Sequence, residues 1–256
     1  MTTVIPSKKH IAQAFSRRAM RYNDTAFIQK HMLETCVGLI KKHDGNDSSL
    51  WLDAGCGIGT LGTILENEKI PVKLISSDIA FGALQNPQNR FPVCADLESL
   101  PFHDNIFSGV VAASVMQWLY NMDGGITEIA RVIRQDGYFV YAAFLSGSFC
   151  ELLQLRDSRQ LASPVRYVDE LELSSMIENA GFDIIEFSTE KQTHTFSTAW
   201  DVLRYFSDLG STAQNGKRLS KQELMLLCRE YEEKYSTTNG VSLSCVLGCG
   251  IAQKRK

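Results

Sequence analysis

The sequence predicts a doubly wound α/β fold, and three observations predict it. From Leu50 onward, short apolar runs alternate with stretches at helical spacing. A glycine-rich turn follows the first apolar run, and helical segments flank the alternation at both ends. Strands that alternate with helices form a largely parallel sheet covered on both faces. At 256 residues, 44% hydrophobic and 21% charged, the chain can bury a sizeable core, which excludes disorder, collagen and small disulfide scaffolds.

Residues 7–42 place Ile11, Ala14 and Phe15, then Phe27, Ile28, His31, Met32 and Thr35 at helical spacing, which predicts a helix over the whole span. Strands are expected at 50–54, 72–77, 91–94, 110–114 and 138–145, with helices between them at 60–68 and 125–134. A helix over 169–180 ends at Gly181 and leads into a strand over 182–189. Two more helices follow at 197–210 and 220–235, the second opened by a capping box of Ser220 with Glu223 three residues on. A last strand over 242–252 closes the chain, so the helical insertion sits over one edge of the sheet as a lid.

The strongest chemical signal is Leu52-Asp-Ala-Gly-Cys-Gly-Ile-Gly-Thr-Leu-Gly62, between the first strand and the first helix after it. Glycines there let the backbone turn tightly and approach a ligand, with helix N-terminal amides facing it. The spacing contains Gly57-x-Gly59-x-x-Gly62, so an NAD-dependent oxidoreductase has to be weighed. Asp53 argues against it, because a carboxylate at the strand end repels a pyrophosphate but suits a cationic ligand. S-adenosylmethionine, with a sulfonium and an ammonium and no phosphate, meets that requirement. Asp78 ends the second strand, where a carboxylate can accept from ribose hydroxyls. Asp96 follows the third strand, placed to accept from an adenine amino group while Leu97 packs on the ring. Each acid alone also fits an ordinary loop or helix cap; their convergence with the glycine loop at one sheet edge is the signal.

Asp53-Ala-Gly-Cys-Gly-Ile-Gly59, Asp78 and Ala95-Asp-Leu97 resemble the cofactor motifs of class I S-adenosylmethionine-dependent methyltransferases. The resemblance implies a Rossmann-like seven-stranded sheet in the order 3-2-1-4-5-7-6, with strand 7 antiparallel. It also implies S-adenosyl-L-methionine as cofactor. The flanks resemble, more narrowly, the malonyl-[acyl-carrier protein] O-methyltransferases. The residues are Ala14-Phe-Ser-Arg-Arg-Ala-Met-Arg-Tyr-Asn-Asp-Thr-Ala-Phe-Ile-Gln29, Asp96-Leu-Glu-Ser-Leu-Pro101, Gln117-Trp118, Gly147-Ser148, Glu151-Leu152, Arg166-Tyr167 and Leu209-Gly210. That family methylates the free carboxylate of a malonyl thioester at the start of pimeloyl synthesis for biotin. The sequence departs from its relatives at Ala113, where many carry a polar residue, at Ile58, and in Arg134-Gln-Asp-Gly137, which lacks the usual proline. A cap over 1–45 and a methyltransferase body over 46–256, with its lid at about 197–236, are the implied divisions.

The cofactor-binding residues expected on this basis are Tyr22, Gln29, Asp53, Gly55, Gly57, Asp78, Ile79, Asp96, Leu97 and Ser114. Tyr22 and Gln29, seven apart, share a helix face and can close over cofactor and substrate. The substrate residues expected are Arg166, Arg204, Gln117, Trp118 and Tyr22. Arginine suits a carboxylate because its planar fork matches both oxygens. A malonyl carboxylate, with a pKa near about 4, is already ionised at neutral pH, so no general base is expected and proximity and water exclusion carry the rate. His31 and His103 accordingly read as surface or packing residues.

The expected partner is acyl carrier protein bearing a malonyl thioester, or the corresponding malonyl-CoA. The first 21 residues hold Lys8, Lys9, Arg17, Arg18 and Arg21 and no acid, which suits an acidic carrier protein, although such a run is also an ordinary solvated face. The net charge of −3 and the lack of an Asn-Pro-Pro-Tyr type of motif after the fourth strand, where Ala113-Ser-Val-Met116 stands, argue against nucleic acid. No apolar run approaches the about 20 residues needed to span a bilayer. Seven cysteines without a C-x-x-C pair read as reduced thiols of a cytoplasmic protein. Cys245 and Cys249 lie roughly 13 Å apart by strand rise, too far for a disulfide, and Cys56 reads as a small filler. The alternatives are another small-molecule class I methyltransferase, an NAD-dependent oxidoreductase, and a cofactor-binding protein without activity.

Overall fold

The computed structural model describes residues 6–43, 49–157, 159, 165–210 and 219–256, the side chains of residues 20–24 excepted. Two helices open the chain, α1 (Lys8–Thr25) and α2 (Phe27–His43). Next come β1 (Leu50–Ala54), α3 (Thr60–Asn67), β2 (Lys73–Asp78), a single turn α4 (Phe81–Leu84), β3 (Val93–Cys94) and β4 (Phe107–Ala113). A 3₁₀ turn over Met116–Trp118 precedes α5 (Met122–Val132), β5 (Ile133–Phe144), α6 (Cys150–Asp157) and α7 (Glu170–Asn179). The chain ends with β6 (Phe182–Phe196), α8 (Ala199–Asp208), α9 (Lys221–Tyr235), β7 (Ser236–Thr237) and β8 (Gly240–Lys254).

The strands form one sheet in the order β3-β2-β1-β4-β5-β8-β6, with the two-residue β7 paired to β8. β8 runs antiparallel to both neighbours, and the pairs from β3 to β5 are parallel. With β7, which lies off this path, set aside, β8 is the seventh strand, and this is the order and the reversed strand that the resemblance implied. The chain has the class I Rossmann-like fold, with α8 and α9 inserted between β6 and β8.

Strand periodicity divides the core into two layers. Along β1, Trp51 belongs to the layer that contains α2, α8 and α9, while Leu52 and Ala54 belong to the layer that contains α5 and α7. Asp53 therefore faces the α2 side, a placement that decides what it can meet. Among the described residues no helix is long and apolar enough to cross a membrane.

Several boundaries differ from expectation. The 7–42 helix is two helices broken at Ala26: α1 packs against α4 and α8, whereas α2 packs against α3, β5 and β8, and one straight rod cannot serve both. β3 starts at Val93 because Phe91 has a φ of +43° and Pro92 has no N–H to give to a ladder. β5 starts five residues early, at Ile133, past an irregular register between Phe107 and Gly109. β6 runs on to Phe196 because its polar second half pairs with β8 from Val241 to Cys249. The capping box of α9 is present: Glu223 N–H donates to Ser220 Oγ at 3.2 Å, and Ser220 N–H donates to Glu223 Oε2 at 2.7 Å.

Candidate functional site

β1, in the middle of the sheet, delivers Asp53 and the glycine loop to the carboxyl edge, where β2, β3 and β4 bring Asp78, Asp96 and Ser114. The loop holds its shape through positive φ values at Gly55 (+81°), Gly57 (+53°) and Gly59 (+87°). A side chain at Gly55 would strike Val115 at 2.5 Å, whereas one at Gly57 would meet nothing within 4 Å. Gly57 thus presents bare backbone to open space, the arrangement that lets a ligand lie against the chain.

Two cavities flank this loop and share Gly55, Gly57 and Ala113 in their walls. The first holds about 910 Å³, its open mouth included, a volume suited to a small-molecule ligand. Asp78, Ile79, Asp96, Leu97, Ser114 and Trp118 line it with Gly55 and Gly57, so eight of the expected residues converge there. The second holds about 550 Å³ and is lined by Asp53 and Gln29, with Lys30, Leu33 and Thr60. Asp53 and Asp78 lie in different chambers because alternation along β1 turns Asp53 toward α2.

Asp53 is 3% exposed, and its Oδ2 has no hydrogen-bond partner among the described residues. Burial, together with the neighbouring Asp78 carboxylate, pushes its carboxyl up to about 8. Asp78 is also raised by burial, against the two amides that hold it: Gly57 N–H donates to Oδ2 at 2.8 Å and Ala80 N–H to Oδ1 at 2.7 Å. Besides facing the cavity, Asp78 therefore braces the glycine loop. The Cys56 thiol is pushed well up by burial and by these two acids, which keeps it a protonated filler and no nucleophile.

The sequence reading set Tyr22 and Gln29 over the cleft on one helix face, but the break at Ala26 puts them on different helices, α1 and α2, and the residues it missed are those of α1 that form the wall. Lys8, Ile11, Phe15 and Ala19 line the first cavity at helical spacing. Lys8 Nζ pairs with Asp96 Oδ2 at 2.5 Å and Glu98 Oε2 at 3.1 Å, and Phe15 packs edge-on against Trp118 with centroids 5.2 Å apart. Gly82 N–H donates to Ser16 Oγ at 3.0 Å, and Arg18 pairs with Asp208 at 3.2 Å. Two of the five N-terminal cations are thus tied within the molecule, while Lys9 and Arg17 are exposed on the outer face of α1. The apolar face at i, i+4 and i+8 was the available signal, but the position of that face over the cleft was not readable.

After β4, Ser114 sits at a φ of +56°. Gln117 Nε2 donates to its carbonyl at 3.0 Å and its Oγ at 3.3 Å, so Gln117 holds that turn from behind and lines neither cavity. Gln29 is buried, its Oε1 3.5 Å from the Tyr205 hydroxyl. Arg166 ion-pairs with Glu172, and its N–H points to the Gln117 carbonyl at 3.4 Å. Arg204 lies 3.5 Å from Asp201. Both guanidiniums are at least half exposed, and neither lines a cavity. Tyr22 falls among the side chains outside the described residues. His31 pairs with Glu190 at the surface and His103 is exposed, and among the described residues no cluster suited to a metal ion occurs.

A methyltransferase domain family matches residues 52–141, the glycine loop through the middle of β5. The chain is 26% identical over 265 residues to a malonyl-[acyl-carrier protein] O-methyltransferase of Geobacter sulfurreducens, a match covering 96% of this chain and 99% of that protein. It is 29% identical over 208 residues to the mitochondrial arginine-hydroxylase NDUFAF5 of Danio rerio, covering 75% of this chain and 64% of that one. Among solved structures, a SAM-dependent methyltransferase of Thermotoga maritima superposes with a TM-score of 0.57 at 15% identity, covering 96% of this chain and 100% of that chain. That last likeness is one of fold.

Proposed function

From its membership of the class I S-adenosylmethionine-dependent methyltransferases, for which S-adenosylmethionine is the cofactor, we propose that this enzyme methylates the free carboxylate of a malonyl thioester on acyl carrier protein. The product is the malonyl methyl ester that primes pimeloyl synthesis for biotin, in the cytoplasm. The observation that carries the acceptor half of this reading is the reach of the likeness: it runs through the α1 and insertion flanks, beyond the cofactor-binding core that methyltransferases share. The donor half stands on Asp53, whose buried unpaired oxygen beside an open glycine backbone suits a cationic group that would ionise it, where a pyrophosphate offers no such partner.

S-adenosylmethionine supplies a methyl group on a positively charged sulfur. The residues that would hold it are Asp53 and Gln29 in one chamber, and Asp78, Ile79, Asp96, Leu97 and Ser114 in the other. The acceptor carboxylate needs no proton removed, so the protein's contribution is to align it and keep water from solvating it. Residues 1–45 act as a cap over the body formed by 46–256, and the insertion at about 197–236 as a lid. Trp118, at the junction of α1 and the first cavity, shields the acceptor, and Tyr22 is the further residue assigned to cofactor and substrate. Gln117 acts by holding Ser114, and Arg166, whose amide faces the Gln117 carbonyl, is the favoured partner of the malonyl carboxylate, ahead of Arg204. Reaching the acceptor requires Arg166 to leave Glu172. Methylation removes the charge Arg166 would hold, which favours release of the ester.

Intact-mass measurement of malonyl-acyl carrier protein after incubation with enzyme and S-adenosylmethionine tests the proposal. One added methyl on the malonyl group is expected, with turnover reduced more by Arg166→Ala than by Arg204→Ala. An unchanged mass from enzyme that binds S-adenosylhomocysteine would discard the malonyl acceptor, and a gain of one oxygen would point to hydroxylation, as named for the mitochondrial relative.

A further inference from the structure

The second cavity has an acid on one side and a cation on the other. Asp53 lies at the inner wall with an unpaired, fully buried carboxylate oxygen. Lys30, on α2, lines the same cavity, and its nearest acid, Glu34, stands 3.8 Å away, too far for a strong hydrogen bond. Thr60, the first residue of the eight-residue helix α3, also lines it. The N-cap there is Gly59, which offers no side chain to the amides of the first turn, so this helix end presents unsatisfied donors and a partial positive charge. One inner acid, facing a cation and an uncapped helix end, matches a ligand group that carries an ammonium and a carboxylate on the same carbon. We propose that Lys30, with the α3 N-terminus, takes the carboxylate of the cofactor's amino-acid portion while Asp53 takes the ammonium. Lys30 thereby selects for an intact amino-acid tail.

This rests on S-adenosylmethionine being the cofactor and adds a residue that the glycine-loop motif does not contain. The ion-pair geometry requires only the side chains already lining the cavity. Lys30 is a surface residue of α2, its side chain 63% exposed, so replacing it leaves the fold intact. The contribution expected is that of a charge-assisted hydrogen bond at a partly wet site, about tenfold in affinity.

The test is calorimetric titration of wild type, Lys30→Gln and Lys30→Arg with S-adenosylhomocysteine and with 5′-methylthioadenosine, which keeps the nucleoside but has no amino-acid tail. Lys30→Gln is expected to weaken S-adenosylhomocysteine about tenfold and leave 5′-methylthioadenosine unchanged, with Lys30→Arg close to wild type. Equal affinity of wild type and Lys30→Gln for S-adenosylhomocysteine overturns the assignment while leaving the cofactor in place. A parallel loss for both ligands also overturns it, because it places Lys30 in support of the whole cleft. Wild type that binds neither ligand overturns the cofactor reading as well.

Discussion

Asp53 concentrates the conflict between stability and function in this molecule. Unfolded, an aspartate releases its proton near about 3.9; folded, Asp53 keeps it up to about 8, because burial and Asp78 disfavour the charge. Across that interval the folded chain binds the extra proton, so this residue's contribution to stability declines as pH rises from about 4 to about 8. Asp53→Asn removes the titration. Relative to wild type, the variant's urea midpoint is therefore expected to rise steadily between about pH 5 and about pH 8, while its S-adenosylhomocysteine binding is lost. A difference in midpoint that stays constant over this range would mean that Asp53 is already ionised in the free protein.

At the scale of elements, α1 and α9 make contrasting predictions. α1 closes the first cavity by a few discrete contacts, of which Lys8 with Asp96 and Glu98 is partly exposed and so worth no more than about 1 kcal/mol. Phe15 against Trp118 is the apolar part of the closure, and such an aromatic pair is worth about 0.5–1.5 kcal/mol beyond its buried area. Phe15→Ala is expected to speed release of S-adenosylhomocysteine several-fold, read by stopped-flow tryptophan fluorescence; an unchanged release rate would show that α1 does not gate the cleft. α9 is a purely structural case. Ser220→Ala deletes one half of its capping box and should cost about 1 kcal/mol in chemical denaturation, with no change in ligand affinity.

The whole molecule carries −3, yet Lys9 and Arg17 stand four-residue multiples apart on the exposed side of α1, the helix whose other face walls the cofactor cleft. Under the proposed function an acidic carrier protein approaching that side would be steered by them, so turnover with malonyl-acyl carrier protein at subsaturating concentration should fall as salt is added, and turnover with malonyl-CoA should fall less. Equal salt dependence for the two substrates would remove the docking role from α1.

The glycine loop, the acids at three strand ends, the order of strands and helices and the capping box of α9 were all legible in the sequence. Each depends on residues close together in the chain: a turn needs glycine where φ is positive, a cap needs Ser and Glu three apart, and a strand needs alternation. The break at Ala26 carries no proline or glycine to announce it, and it exists because α1 and α2 dock on different partners. The pairing of Lys8 with Asp96 joins residues 88 positions apart. Alternation along β1 puts Asp53 and Leu52 on opposite faces, but only the packing of α2 beneath the sheet made one of those faces a chamber shared with Gln29 and Lys30. The sequence by itself determined which chemistry reaches the sheet edge, since that is local; the tertiary structure decided which side chains meet there, since contact between distant segments depends on how the layers pack.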